Sequence, residues 1–143
     1  MIPDERQHIA ELAADFRGRL DRANKALLPV QFRYFPVGAC EPTSILLARF
    51  LADHGHPGFR VISAPYITND QPELWYSHVW VGRDDLLVDI TADQFNMGFP
   101  PVIVERHSDW HAKHETVEVS VEGFAPEQRA ELRRVYELLC STP

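Results

Sequence analysis

Gly38-Ala39-Cys40-Glu41-Pro42-Thr43-Ser44-Ile45-Leu46-Leu47-Ala48-Arg49-Phe50-Leu51-Ala52-Asp53-His54-Gly55 decides the fold. Ile45, Leu46, Leu47, Phe50 and Leu51 recur at helical spacing, so a helix is expected to start near Cys40. Pro42 suits its first turn and Gly55 its end. A cysteine therefore opens an apolar helix, where free backbone N–H groups and the positive end of the helix dipole favour a thiolate. The two small residues before it leave the thiol accessible. The bland alternative is a small buried hydrophobe, the usual state of a free cysteine. Cys140, at the end of the chain's last helix and without charged neighbours, is read that way, as structural.

Around this helix the pattern is that of one α+β unit over residues 1–143. Ile9, Leu12, Ala13, Phe16, Leu20 and Ala23 predict an amphipathic helix over 4–24, with Asp4 as its cap. Leu28 to Gly38, with Pro29 and Pro36, reads as a loop. Strands are expected at Phe59–Ala64, Trp75–Val81, Leu86–Ile90, Val102–Val104 and Thr116–Val121. A last helix is expected from Ala125 to Leu139, with Pro126 in its first turn. Ile67 to Glu73 reads as a surface loop beside the site.

Composition narrows the function classes. The chain has 143 residues, 45% hydrophobic and 24% charged, an ordinary globular mix. Its net charge of -7 argues against nucleic acid or an anionic membrane as partner, because phosphate binding needs clustered Lys and Arg. No signal-like leader and no membrane-length apolar run is seen. The two cysteines, Cys40 and Cys140, are expected as reduced thiols in the cytoplasm.

Two further residues join Cys40. His78 lies in Ser77-His78-Val79-Trp80 and Asp89 in Val88-Asp89-Ile90-Thr91. Between them Gly82-Arg83-Asp84-Asp85 reads as a tight turn. With Arg83-Asp84 as the two turn residues, His78 faces Asp89 directly, about 5 Å away at Cβ. A slip of two residues keeps both on one face. That face also carries Tyr76, Trp80 and Leu87. A thiol, an imidazole to take its proton and a carboxylate to orient the imidazole make a nucleophilic triad. A mutually satisfied structural His–Asp pair is the alternative.

His107, His111 and His114 fall at i, i+4 and i+7, one face of a helix. Imidazoles so spaced can bind zinc, but no thiolate or clear carboxylate joins them, and a solvated helix face without metal is expected. His54-Gly55-His56 reads as a polar loop.

Gly38-Ala39-Cys40, the helix to Gly55, Ser77-His78-Val79-Trp80 and Asp89-Ile90-Thr91 together resemble the transglutaminase-like branch of the papain-like cysteine enzymes. The resemblance covers about residues 36–95. Val79 stands where that family usually has Ala, and Ile90 where it usually has Pro. It implies a nucleophile-bearing helix packed on an antiparallel β-sheet, flanked by N- and C-terminal helices. It also implies acyl transfer through a thioester, with Cys40 as nucleophile, His78 as base and Asp89 as its orienter. The backbone N–H of Cys40 would be one oxyanion donor; Gln31 and Tyr34 are candidates for a second donor or, with Trp80, for substrate contacts. The expected substrate is a peptide, protein or small amide, and no cofactor is needed. A hydrolase, deamidase or transferase would all fit. An acetyltransferase using an acyl thioester is a weaker reading, for want of a basic patch. A non-catalytic binding, adaptor or immunity-type module on the same scaffold is the alternative from another class.

Overall fold

A computed structural model describes residues 3–67 and 76–141. Four helices, α1 (Pro3–Arg22), α2 (Cys40–Asp53), α3 (Asp109–Ala112) and α4 (Pro126–Cys140), accompany five strands. The strands are β1 (Arg60–Ile67), β2 (Tyr76–Arg83), β3 (Leu86–Asp89), β4 (Ile103–Glu105) and β5 (Val117–Val119), in one antiparallel sheet of order β4-β3-β2-β1-β5. The architecture is α+β, as the sequence indicated. Most of the expected Ile67–Glu73 loop, together with Trp75, lies outside the described residues. α1 begins at Pro3, so Asp4 falls inside its first turn rather than ahead of it.

α2 forms where its apolar spacing predicts, burying Thr43, Ser44, Leu46, Leu47, Phe50 and Leu51 on one side. It ends in a Schellman motif: Gly55 N–H donates to Ala52 O at 3.2 Å and His56 N–H to Leu51 O at 2.8 Å. That bend needs the left-handed φ of 94° at Gly55, which costs glycine nothing. Phe16 of α1 meets Phe50 of α2 at a ring separation of 4.8 Å. Tyr136 of α4 donates its hydroxyl to Asp53 at the end of α2, at 2.7 Å. Burying large side chains such as Phe16, Leu47, Phe50 and Leu51 is worth roughly 1.5–3 kcal/mol each. These helices share one core with Val61, Val79, Val81, Leu86 and Val88 from the inner face of the sheet.

The opposite face has its own smaller apolar cluster, Ala64, Ile67 and Trp80, with Ile62, Leu87 and Trp110 packed against it. Period-2 alternation assigns His78 and Asp89 to this face, with Trp80 and Leu87. The register differs from the expected one. Val81 pairs with Val88 and Arg83 with Leu86, so Asp84-Asp85, not Arg83-Asp84, makes the turn. Asp84 takes the left-handed φ of 53° that the turn requires, which a short polar side chain tolerates. The slip is two positions, so His78 and Asp89 stay on one face. No helix among the described residues is long and apolar enough to cross a membrane.

Candidate active site

Cys40 is the first residue of a 14-residue helix. Gly38 precedes it with φ 81°, a left-handed turn that delivers the chain into the helix. Ala39 is fully buried and its carbonyl accepts the Thr43 N–H at 3.0 Å, which starts the helical ladder. The N–H of Cys40 itself is among the donors that a helix start leaves without a helical partner. Cys40 as a residue is half-buried. One turn on, the buried Ser44 hydroxyl donates to Val79 O at 3.1 Å, pinning the start of α2 against β2 beside His78.

His78 has no exposed surface, and Asp89 is buried to the same degree. His78 Nε2 lies 2.7 Å from Asp89 Oδ2. The other carboxylate oxygen, Oδ1, accepts the Thr91 N–H at 3.0 Å. An ionised carboxylate only accepts hydrogen bonds, so Nε2 of His78 must carry a proton. Nδ1 is left free of the carboxylate and faces the Gln94 amide at 3.4 Å, and Cys40 is also among the groups that act on the ring. Burial pushes the His78 pKa down. The hydrogen bond and charge of Asp89, followed by those of Cys40, overcome this and raise it to about 9. Burial likewise pushes Asp89 up, but hydrogen bonds from His111 and His78 outweigh it and hold the carboxyl near 2. The arrangement favours a proton on the imidazole and a negative charge on Asp89.

Two more polar side chains complete the cluster, and sequence reasoning assigned neither to it. His111 Nε2 also lies 2.7 Å from Asp89 Oδ2. Its Nδ1 faces the Ser108 hydroxyl. His111 is therefore buried in the site, a correction to the solvated face expected for the three histidines. α3 is a single turn, N-capped by Ser108, and it folds over the outer face of the sheet. The local signal was Ser108-Asp109-Trp110, a cap residue before an aromatic. Gln94, in the 3-10 turn Ala92–Phe95, donates to Thr91 O at 3.0 Å and stands 3.4 Å from His78 Nδ1. The turn is held by buried Arg17, which bonds Asp93 through two nitrogens at 2.9 Å each and caps Ile90 O at 2.8 Å.

The remaining candidates separate. Trp80 is 5% exposed, and its ring lies 5.7 Å from that of His78 and 4.7 Å from that of His111. It walls the imidazoles, and its outer edge floors an open groove of about 720 Å³ shared with Arg106, His107, His111 and His114. Gln31 lines a different cleft with Glu41 and Pro42, and Tyr34 stands 72% exposed on the loop before α2. The structure brings neither of them to His78. His107 is exposed, while His114 is buried, with neither ring nitrogen hydrogen-bonded among the described residues. His56 is buried too and bonds His8 at 2.7 Å, so 54–56 is not simply a polar loop. Cys140 is exposed rather than structural core, and its thiol pKa is raised, chiefly by partial burial.

Among the described residues His78, Asp89 and His111 have the composition of a metal site. Their geometry is that of hydrogen bonds. Metal–ligand bonds of zinc, at about 2.0–2.2 Å, would hold tetrahedral ligand atoms roughly 3.3 Å apart, against 2.7 Å for each imidazole nitrogen and the shared oxygen. No protein-family profile, curated protein or solved structure matches the chain.

Proposed function

We propose that the chain is a cysteine-dependent acyl-transfer enzyme of transglutaminase-like, papain-like architecture. Its substrate is an amide or isopeptide in a peptide, a protein or a small molecule, and it works in the reducing cytoplasm. The observation that carries this reading is the buried His78–Asp89 pair at 2.7 Å, with Cys40 at a helix start among the groups that raise the His78 pKa. Cys40 Sγ attacks the carbonyl carbon, forming a C–S bond while the carbonyl oxygen becomes an oxyanion. The Cys40 N–H is one donor to that oxygen. Gln94 is a second: Thr91 O orients its amide, whose nitrogen stands 3.4 Å from His78 Nδ1. With Nδ1 of His78 protonated it cannot accept from Gln94, which leaves that N–H for the oxyanion. The C–N bond then breaks, and Nδ1–H protonates the leaving amine. Water, or an amine in a transferase, then attacks the thioester carbon as it gives its proton to His78, the C–S bond breaks, and Cys40 leaves as the thiolate that the His78 imidazolium pairs with, releasing the acid or the new amide.

A non-catalytic binding module is the second reading. The total burial of His78 favours it, since a base sealed from solvent is also what a structural pair looks like. Alkylation separates the two. With catalysis, iodoacetamide modifies Cys40 rapidly at pH 6–7, well below the ordinary thiol pKa of about 8.5. With a structural pair, Cys40 is modified slowly below pH 8. A screen of amide, isopeptide and glutamine-containing peptides then supplies the substrate class.

A further inference from the structure

We propose that His111 is a positioning residue of this site: its Nε2–H gives Asp89 the additional side-chain hydrogen bond that lets it persist as a buried carboxylate opposite His78. The inference deepens the acyl-transfer reading and rests on it. A carboxylate with no solvent contact is costly unless its lone pairs are filled. Asp89 has three partners: the Thr91 N–H on Oδ1, and the two imidazoles on Oδ2. Among the described residues no Lys or Arg pairs with it. The Arg17 guanidinium comes no closer than Ile90 O and the Asp93 carboxylate.

The other titratable groups nearby act through the imidazoles. Cys40 faces His78. Burial, and after it the charges of Lys113, His111 and His78, lowers the His114 pKa. Since Oδ2 can only accept, both His78 and His111 must carry their protons on Nε2. For His111 this leaves Nδ1 as an acceptor for the Ser108 hydroxyl, a match that fixes its tautomer. His111 thus delivers its Nε2–H to the same carboxylate oxygen as His78. A cation in its place would compete with the His78 imidazolium for the same oxygen.

Removing the His111 donor leaves Asp89 with one imidazole and one backbone N–H in an apolar wall of Trp80 and Trp110. The carboxyl then takes up a proton at higher pH. Once neutral, it no longer balances the His78 imidazolium, and the thiol regains its proton. The acid limb of Cys40 reactivity moves up with it.

The test is the pH profile of Cys40 alkylation by iodoacetamide, read by mass spectrometry, in the wild type, His111→Leu and His111→Gln, each checked for folding by circular dichroism. His111→Leu is expected to move the acid limb up by about one pH unit, a tenfold slower reaction on that limb. His111→Gln, whose amide N–H reaches the place of Nε2–H, is expected to keep the wild-type limb. An unchanged or downshifted limb in His111→Leu overturns the proposal. So do equal upshifts in both folded variants, which would trace the effect to packing or to Ser108. If His111→Leu does not fold, nitrogen-15 spectra of the wild-type histidines decide: His111 protonated on Nδ1 overturns the proposal, and on Nε2 supports it. Failure of the underlying reading looks different, because the wild type itself then shows no rapid alkylation below pH 8.

Discussion

Asp89→Asn changes charge and hydrogen-bonding capacity while leaving size alone, so its effects report on the site and not on packing. Three N–H groups point at the Asp89 side chain. An asparagine offers one oxygen and one NH₂, so in either orientation at least one N–H meets a donor. An unpaired buried donor costs about 1–3 kcal/mol. The lost charge acts on His78. Its rise from 6.5 to about 9 corresponds to about 3 kcal/mol. Asp89 is the larger favourable contributor and Cys40 the smaller. Losing the Asp89 share is expected to lower the thiolate–imidazolium population ten- to a hundredfold, an energy of about 1.4–2.8 kcal/mol. Iodoacetamide modification of Cys40 at pH 6 should slow by the same factor. Urea unfolding at pH 6 should show about 2–4 kcal/mol of lost stability. The loss should shrink at pH 10, where wild-type His78 has also given up its proton. An Asp89→Asn protein that is alkylated at the wild-type rate at pH 6 would refute the reasoning.

Three further outcomes follow from the same contacts. Cys40 should be alkylated faster than Cys140 at pH 6–7 although Cys140 is the more exposed, because the Cys140 thiol pKa is raised; peptide mapping after brief labelling measures this, and Cys40→Ala should keep stability within about 1 kcal/mol while abolishing any activity. Stability should be greatest between about pH 4 and 6.5: the folded pKa of His78 is raised, so its contribution is complete below 6.5 and lost as pH rises through about 9, while that of Asp89 is lowered, so its contribution is complete above 3.8 and lost as pH falls through about 2. Thermal melts across pH 2–10 should trace that plateau, and a stability that climbs from pH 7 to 9 would contradict it. Arg17→Met should cost about 3–5 kcal/mol in urea unfolding, since it strands Asp93 and the Ile90 carbonyl in a largely buried setting, and it should also loosen the turn that carries Gln94.

The sequence alone determined what depends on neighbours within one turn or one pleat. The helix from Cys40 to Asp53 was legible because its apolar spacing, Pro42 and Gly55 all act through contacts three to five residues apart. That His78 and Asp89 share a face was legible from period-2 alternation, and it survived a turn misplaced by one residue because the resulting two-residue slip in register preserves the face. Tertiary structure decided the partners. His111 joins Asp89 across 22 positions. Its spacing with His107 and His114 suggested a free helical face, and only the path of a one-turn helix over the sheet turns it inward. Trp80 read as a substrate contact, and the tertiary structure sets it beside the two imidazoles with an edge on the open groove. Arg17 reaches Ile90 across 73 positions, a contact that no local pattern encodes. Periodicity reports which side of an element is apolar, because that follows from backbone geometry. Which polar group fills a buried lone pair depends on how distant segments are brought together, and that is settled only when the chain closes around it.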